Sequence, residues 1–97
     1  MPTYIALLDW TDQGVQNFRD SVDRYEAAAE QFEKLGVTFK DVYWTLGDHD
    51  LVAILDAPDG ETLAAALLMT ASQGNLRTTT LRALTADEMR GVIEKTG

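Results

Sequence analysis

Ninety-seven residues, 45% hydrophobic and 25% charged, describe one folded domain spanning 1–97 and leave no room for a second. No apolar run approaches the roughly 18–20 residues of a membrane helix, and no basic-then-apolar leader opens the chain. Eight Lys and Arg against sixteen Asp and Glu give a net charge of −8, which denies DNA or RNA a basic face.

The chain opens with Thr3–Trp10, rich in strand formers and apolar on both parities, which predicts a strand buried on both faces. Thr11 or Asp12 can cap the helix that follows. Val15, Phe18, Val22, Tyr25, Ala29 and Phe32 recur at helical spacing and define its expected core stripe. Asp20 and Ser21 are cap-type residues that can start a second helix inside this span. Gly36 stops it.

Two strands are predicted at 37–46 and 49–57. Gly47-Asp48 between them suits a type II′ hairpin, and a bulge beside the turn fits equally. Pro58-Asp59-Gly60 ends the second strand, with Asp59 as a helix cap. Residues 61–72 are Ala, Leu and Met in the main and predict a helix that Gly74 closes. The Thr run within 75–84 favours a strand. Thr85-Ala86-Asp87-Glu88 is a capping box that opens a helix to about Lys95.

The order is β-α-β-β-α-β plus a C-terminal helix, an α+β fold of the ferredoxin-like kind. Right-handed crossovers give an antiparallel sheet ordered 4-1-3-2, with both main helices on one face. The uncovered face should then carry polar side chains. Instead Ile5 and Leu7 oppose Tyr4, Ala6, Leu8 and Trp10 in the first strand, and Val52 and Ile54 oppose Leu51, Ala53 and Leu55 in the third. A second copy of the chain is the simplest cover for such a face, so a homo-oligomer is expected. The alternative is a monomer whose terminal helix folds over it.

Four stretches resemble the GYD-domain family of small bacterial and archaeal proteins: Tyr4 to Gly14, Gly47 to Val52, Ala57-Pro58-Asp59 and Asn75 to Ala83. The likeness spans nearly the whole chain, and the run through the fourth strand is its most specific part. In the stretch Gly47-Asp48-His49-Asp50, histidine stands where the family usually has tyrosine. The resemblance implies a dimeric α/β-barrel type of assembly and no particular reaction. Related barrels include cofactor-independent monooxygenases, haem enzymes and small-molecule-binding modules, so fold alone does not carry function.

The absence of cysteine excludes disulfides, thiolate zinc sites and thiol catalysis, and fits a cytoplasmic protein. A single histidine excludes a multi-histidine metal site within one chain. His49 is the side chain whose ordinary pKa lies nearest neutrality, so His49 and Tyr43 are the candidate catalytic pair. Asp48 and Asp50 flank His49, yet in a strand they point away from it. Residues 1–60 hold twelve acids and four bases, and 61–97 hold four of each. The one basic spot, around Arg77 and Arg82, therefore suits a small anion.

Arg77 and Thr79 are candidate ligand-binding residues, because a guanidinium fork among hydroxyls can hold an oxyanion. Trp10, Phe39, Tyr43 and Trp44 are expected to line an apolar pocket there, with Tyr4, Tyr43, His49 and Arg77 as its few polar groups. The expected protein is a homo-oligomer that binds a small molecule, anionic if Arg77 holds it, between sheet and partner chain. No metal or cofactor is expected. One alternative is a cofactor-independent monooxygenase or isomerase acting on an aromatic or enolisable substrate. Another is a structural or regulatory oligomer without a ligand.

Overall fold

The computed structural model describes residues 1–97. The elements follow the expected order: β1 (Thr3–Trp10), α1 (Asp12–Gln16), a 3-10 turn (Phe18–Asp20), α2 (Ser21–Lys34), β2 (Thr38–Trp44), β3 (Leu51–Asp56), α3 (Gly60–Ala71), β4 (Leu76–Ala83) and α4 (Ala86–Glu94). All strand pairs are antiparallel and the sheet order is β2-β3-β1-β4, which is 4-1-3-2 read from the β4 edge.

Local chemistry sets the helix starts. Thr11 caps α1 by accepting from the Gly14 amide, and Asp59 caps α3 by accepting from the Thr62 amide at 2.7 Å. Thr85 and Glu88 form the reciprocal capping box of α4. Gly14 sits under the β4 entry so tightly that a Cβ there would stand 2.0 Å from the Asn75 carbonyl oxygen. The Thr11 amide donates to that same oxygen at 3.1 Å. Thr11 and Gly14 thus fix the end of β1 to the start of β4.

The expected core stripe of the first helix holds in its second half, at Tyr25 and Phe32, and fails in its first, while the second helix start expected at Asp20 and Ser21 is present. Asn17 interrupts the helix, and the 3-10 turn resets its phase before α2 begins at Ser21. Val15, Phe18 and Val22 are left 53%, 51% and 52% exposed. Ser21 and Ala28 join Tyr25 and Phe32 on the inward face, at the same helical spacing.

The link between β2 and β3 also differs from a two-residue hairpin. The Thr45 amide donates to the Asp50 carbonyl at 2.8 Å, closing a loop over residues 46–49. Gly47 supplies its positive φ of 105°. A bulge lies further back: Phe39 pairs with Leu55 and Asp41 with Ile54, so Lys40 is the extra residue. It puts Phe39, Val42 and Trp44 on the helix side of the sheet and Tyr43 on the other.

The core fills the space between sheet and helices. Ala6, Leu8, Leu51, Ala53 and Leu55 pack there with Phe32, Val37, Leu63 and Ala66. Phe32 stacks on Phe39 at 4.9 Å, and Tyr25 meets Phe39 and Trp44 edge-on at 5.3 and 5.9 Å. Each large side chain buried this way stabilises the fold by roughly 1.5–3 kcal/mol. Only 12 of 97 residues are buried, so the core is small for the chain.

The terminal helix does not fold over the open face. No residue of α4 is buried, and the helix makes only marginal contact with the other elements. It is tied at its base, where Arg82 meets Glu88 at 3.3 Å and donates to the Thr3 carbonyl. Met89, Val92 and Ile93 remain exposed along it.

Candidate functional site

Strand parity divides the sequence candidates between two faces. Tyr4 and Trp10 lie on the helix side with Ala6 and Leu8. Arg77, Thr79 and Tyr43 lie on the open side with Ile5 and Leu7. One chain therefore cannot gather Tyr4, Trp10, Arg77 and Thr79 round one ligand. Tyr4 packs against the core and carries the Arg82 guanidinium 5.6 Å above its ring. Trp10 also packs there, and its buried Nε1 has no hydrogen-bond partner.

On the open side the register builds rows across the sheet. Tyr43, Val52, Leu7 and Thr79 form one row, and Asp41, Ile54, Ile5 and Leu81 the next. At one end Asp9 and Arg77 are direct cross-strand partners. His49 reaches the same place from the 46–49 loop, with Nδ1 3.1 Å from the Asp9 carboxylate. At the other end Thr3 donates to Asp56 at 2.9 Å. The face is thus apolar at its centre and polar at both ends.

This brings His49, Arg77, Thr79 and Tyr43 onto one surface and adds Asp9, which sequence reasoning missed. Asp9 stands on the outward parity of a strand otherwise apolar there, and that was the available signal. The His49 and Asp9 side chains are 36% and 40% exposed, so within one chain the pair faces water. A carboxylate can orient an imidazole for proton transfer, but proton abstraction from carbon calls for a closed site that one open face does not supply. No three His, Asp or Glu residues converge as metal ligands.

The cavity of the single chain lies on the opposite face, under the helices. It measures about 70 Å³ and is enclosed by the sheet, α2, the end of α3 and the start of β4. Ala6, Ala28 and Ala53 leave the space that larger side chains would fill. Phe39 lines it; Tyr43 and His49 do not. Ser21 and Arg24 on α2, with Thr70, Gln73 and Asn75, are the polar residues of a lining that is otherwise hydrophobic. Sequence reasoning took Ser21 only as a cap and did not single out Arg24.

Two carboxyl groups are held below their ordinary values, and both lie at helix starts. The Thr62 amide, with its side chain, lowers Asp59; the Thr85 amide, with Arg82, lowers Glu88. These shifts belong to helix capping rather than to the open face or the cavity.

The molecule is a ferredoxin-like α+β domain with one open, largely apolar sheet face and one small cavity under its helices. The chain belongs to the GYD domain family, whose profile matches residues 4–93. It is 35% identical over 85 residues to the glutamine synthetase and cystathionine beta-lyase binding protein of Thermus thermophilus, covering 87% of this chain and 90% of that protein. It is also similar to the crystal structure of TTHA0845 from Thermus thermophilus, with a TM-score of 0.57 and 27% identity. That match covers 89% of this chain and 96% of the other. No helix here is long and apolar enough to cross a membrane.

Proposed function

We propose that this protein is a homo-oligomeric binding protein that docks on other proteins, enzymes among them. The observation that carries the reading is the surface one chain leaves uncovered. A compact monomer of 10.7 kDa exposes about 5,500 Å² by the usual size scaling, whereas this chain exposes 6431 Å². The excess of about 900 Å² is close to what each partner buries in a standard interface, about 800 Å². The radius of gyration agrees: 14.6 Å, against about 12.5 Å for a compact chain of this length.

The open face, with Ile5, Leu7, Val52, Ile54 and Leu81, is the surface for a second copy. The stripe on α4 lies beyond the small core and is available to the same contact. The patch of Val15, Phe18 and Val22 belongs to the helix side and stays free in a sheet-to-sheet pair. It is the surface for a protein partner, and the Thermus relative, named for binding two enzymes, supports a partner of that kind.

The test is native mass spectrometry of the purified protein, alone and mixed with glutamine synthetase from its own organism. A multiple of the chain mass that shifts to a joint complex supports the reading. Phe18→Asp should abolish the joint complex and leave the multiple intact. A monomer mass that forms no complex with the enzyme overturns it.

A further inference from the structure

The cavity under the helices is not a sealed void. A void that stays empty is apolar all round, whereas a cavity with polar lining takes up water or a polar ligand. Here part of the lining is polar, and the character of that part is selective. Of the sixteen acids in the chain none lines the cavity, while Arg24 does. One Arg24 N–H donates to the Asn17 carbonyl at 2.7 Å. A guanidinium carries five such donors in a planar fork, so the rest of the fork is available.

Ser21 points the same way. It is 8% exposed, and its hydroxyl accepts from Trp44 Nε1 at 2.8 Å. A hydroxyl also donates, and no acceptor in the chain takes the Ser21 proton. A buried donor left this way is costly unless something else accepts from it. Ser21 and Arg24 lie three residues apart on α2, on neighbouring positions of one helix face, and both line the cavity. The sheet floor of the cavity is hydrocarbon, with Ala6, Ala53 and Leu55, and Phe32 closes it along α2. A volume of about 70 Å³ holds about five water-sized spheres at roughly 10–15 Å³ each, the size of a short branched alkyl group.

We propose that this cavity binds a small monocarboxylate with a compact branched apolar body. Its alkyl part lies on the alanine floor. Its carboxylate sits between the Arg24 fork and the Ser21 hydroxyl. Binding completes a hydrogen-bond chain from Trp44 through Ser21 to the ligand. The site is on the opposite face from the proposed subunit contact and stands independently of it.

The test is a two-dimensional amide NMR titration of the intact protein with isovalerate, 3-methylbutan-1-ol and acetate. Isovalerate should saturate with a Kd of about 1 mM, within reach of a ligand of this size. It should shift the amides of Ala53, Leu55 and Phe32 together with the Trp44 indole N–H. The alcohol lacks the charge and acetate lacks the body, so each should bind about tenfold or more weakly. Arg24→Gln should weaken isovalerate about tenfold and leave the alcohol unchanged. Ala53→Leu fills the floor and should abolish binding while the spectrum stays dispersed. Equal binding of alcohol and isovalerate overturns the carboxylate site, and no saturable shift with isovalerate overturns the site altogether.

Discussion

His49 pairs with Asp9, forty residues away in sequence, at 3.1 Å, and with neither of the acids beside it. Asp50 is engaged elsewhere, accepting from the Trp10 amide at 2.9 Å. Because the His49–Asp9 pair is partly in water, its contribution to folding is small. His49→Ala should lower stability by less than about 1 kcal/mol in urea unfolding. A loss of about 3 kcal/mol would instead mark a pair desolvated by a covering chain.

Gly14 and Gly91 make a matched pair of substitutions. A Cβ at Gly14 would collide with the Asn75 carbonyl, a backbone atom that cannot swing aside, whereas a Cβ at Gly91 meets nothing within 4 Å. Gly14→Ala should cost about 2 kcal/mol or more, since α1 and the entry to β4 must part to admit the methyl. Gly91→Ala lies inside α4 and should stabilise that helix by about 0.5–1 kcal/mol. Thermal unfolding of the two variants beside the parent checks both signs.

Ile54 stands opposite Ile5 in the middle of the open face. Ile54→Lys places a charge where the proposed second copy would sit. Sedimentation should then show monomer at concentrations where the parent associates, with far-UV circular dichroism unchanged. An association state equal to the parent's would move the subunit contact off this face.

The two capping carboxylates set a pH dependence with a definite sign. Asp59 and Glu88 are held below their ordinary values of 3.8 and 4.5. A pKa depressed in the folded state gives stabilisation that is complete above the unfolded value and lost as pH falls through the folded one. The starts of α3 and α4 should therefore hold at neutral pH and loosen below about pH 4. Carboxyl-carbon NMR titration should give midpoints below the ordinary values for both. Midpoints at or above them would remove this contribution.

Much of the fold was legible because short-range chemistry specified it. Thr85 with Glu88, Asp59 before α3, and the double apolar parity of β1 and β3 each pointed to what the structure contains. In the first helical segment the restart at Ser21 and the inward Tyr25 and Phe32 were legible, but the outward turn of Val15, Phe18 and Val22 was not, because the break at Asn17 shifts the phase. Val15 and Phe18 then read as continuous with Phe32 when they are not. The division of the site followed from strand parity in β1 and β4. In β2 the extra residue Lys40 changed the parity between Phe39 and Tyr43. The outward parity of Asp9 was a mark in the sequence, but its pairing with His49 depends on the path of the 46–49 loop, which local sequence does not specify.

The extra residue in β2 has a bearing on how copies of this chain can join. A sheet can grow sideways, strand beside strand, or by stacking broad face on broad face. Lateral growth needs a straight, uncharged border. Along β2 the bulge kinks the hydrogen-bonding rail and presents Lys40 there, its ammonium 3.9 Å from Asp56. The opposite border, β4, carries Arg77 and Arg82. Both borders thus discourage an open-ended ribbon, and the proposed pairing through the open face is the kind that closes on itself at a finite size under two-fold symmetry.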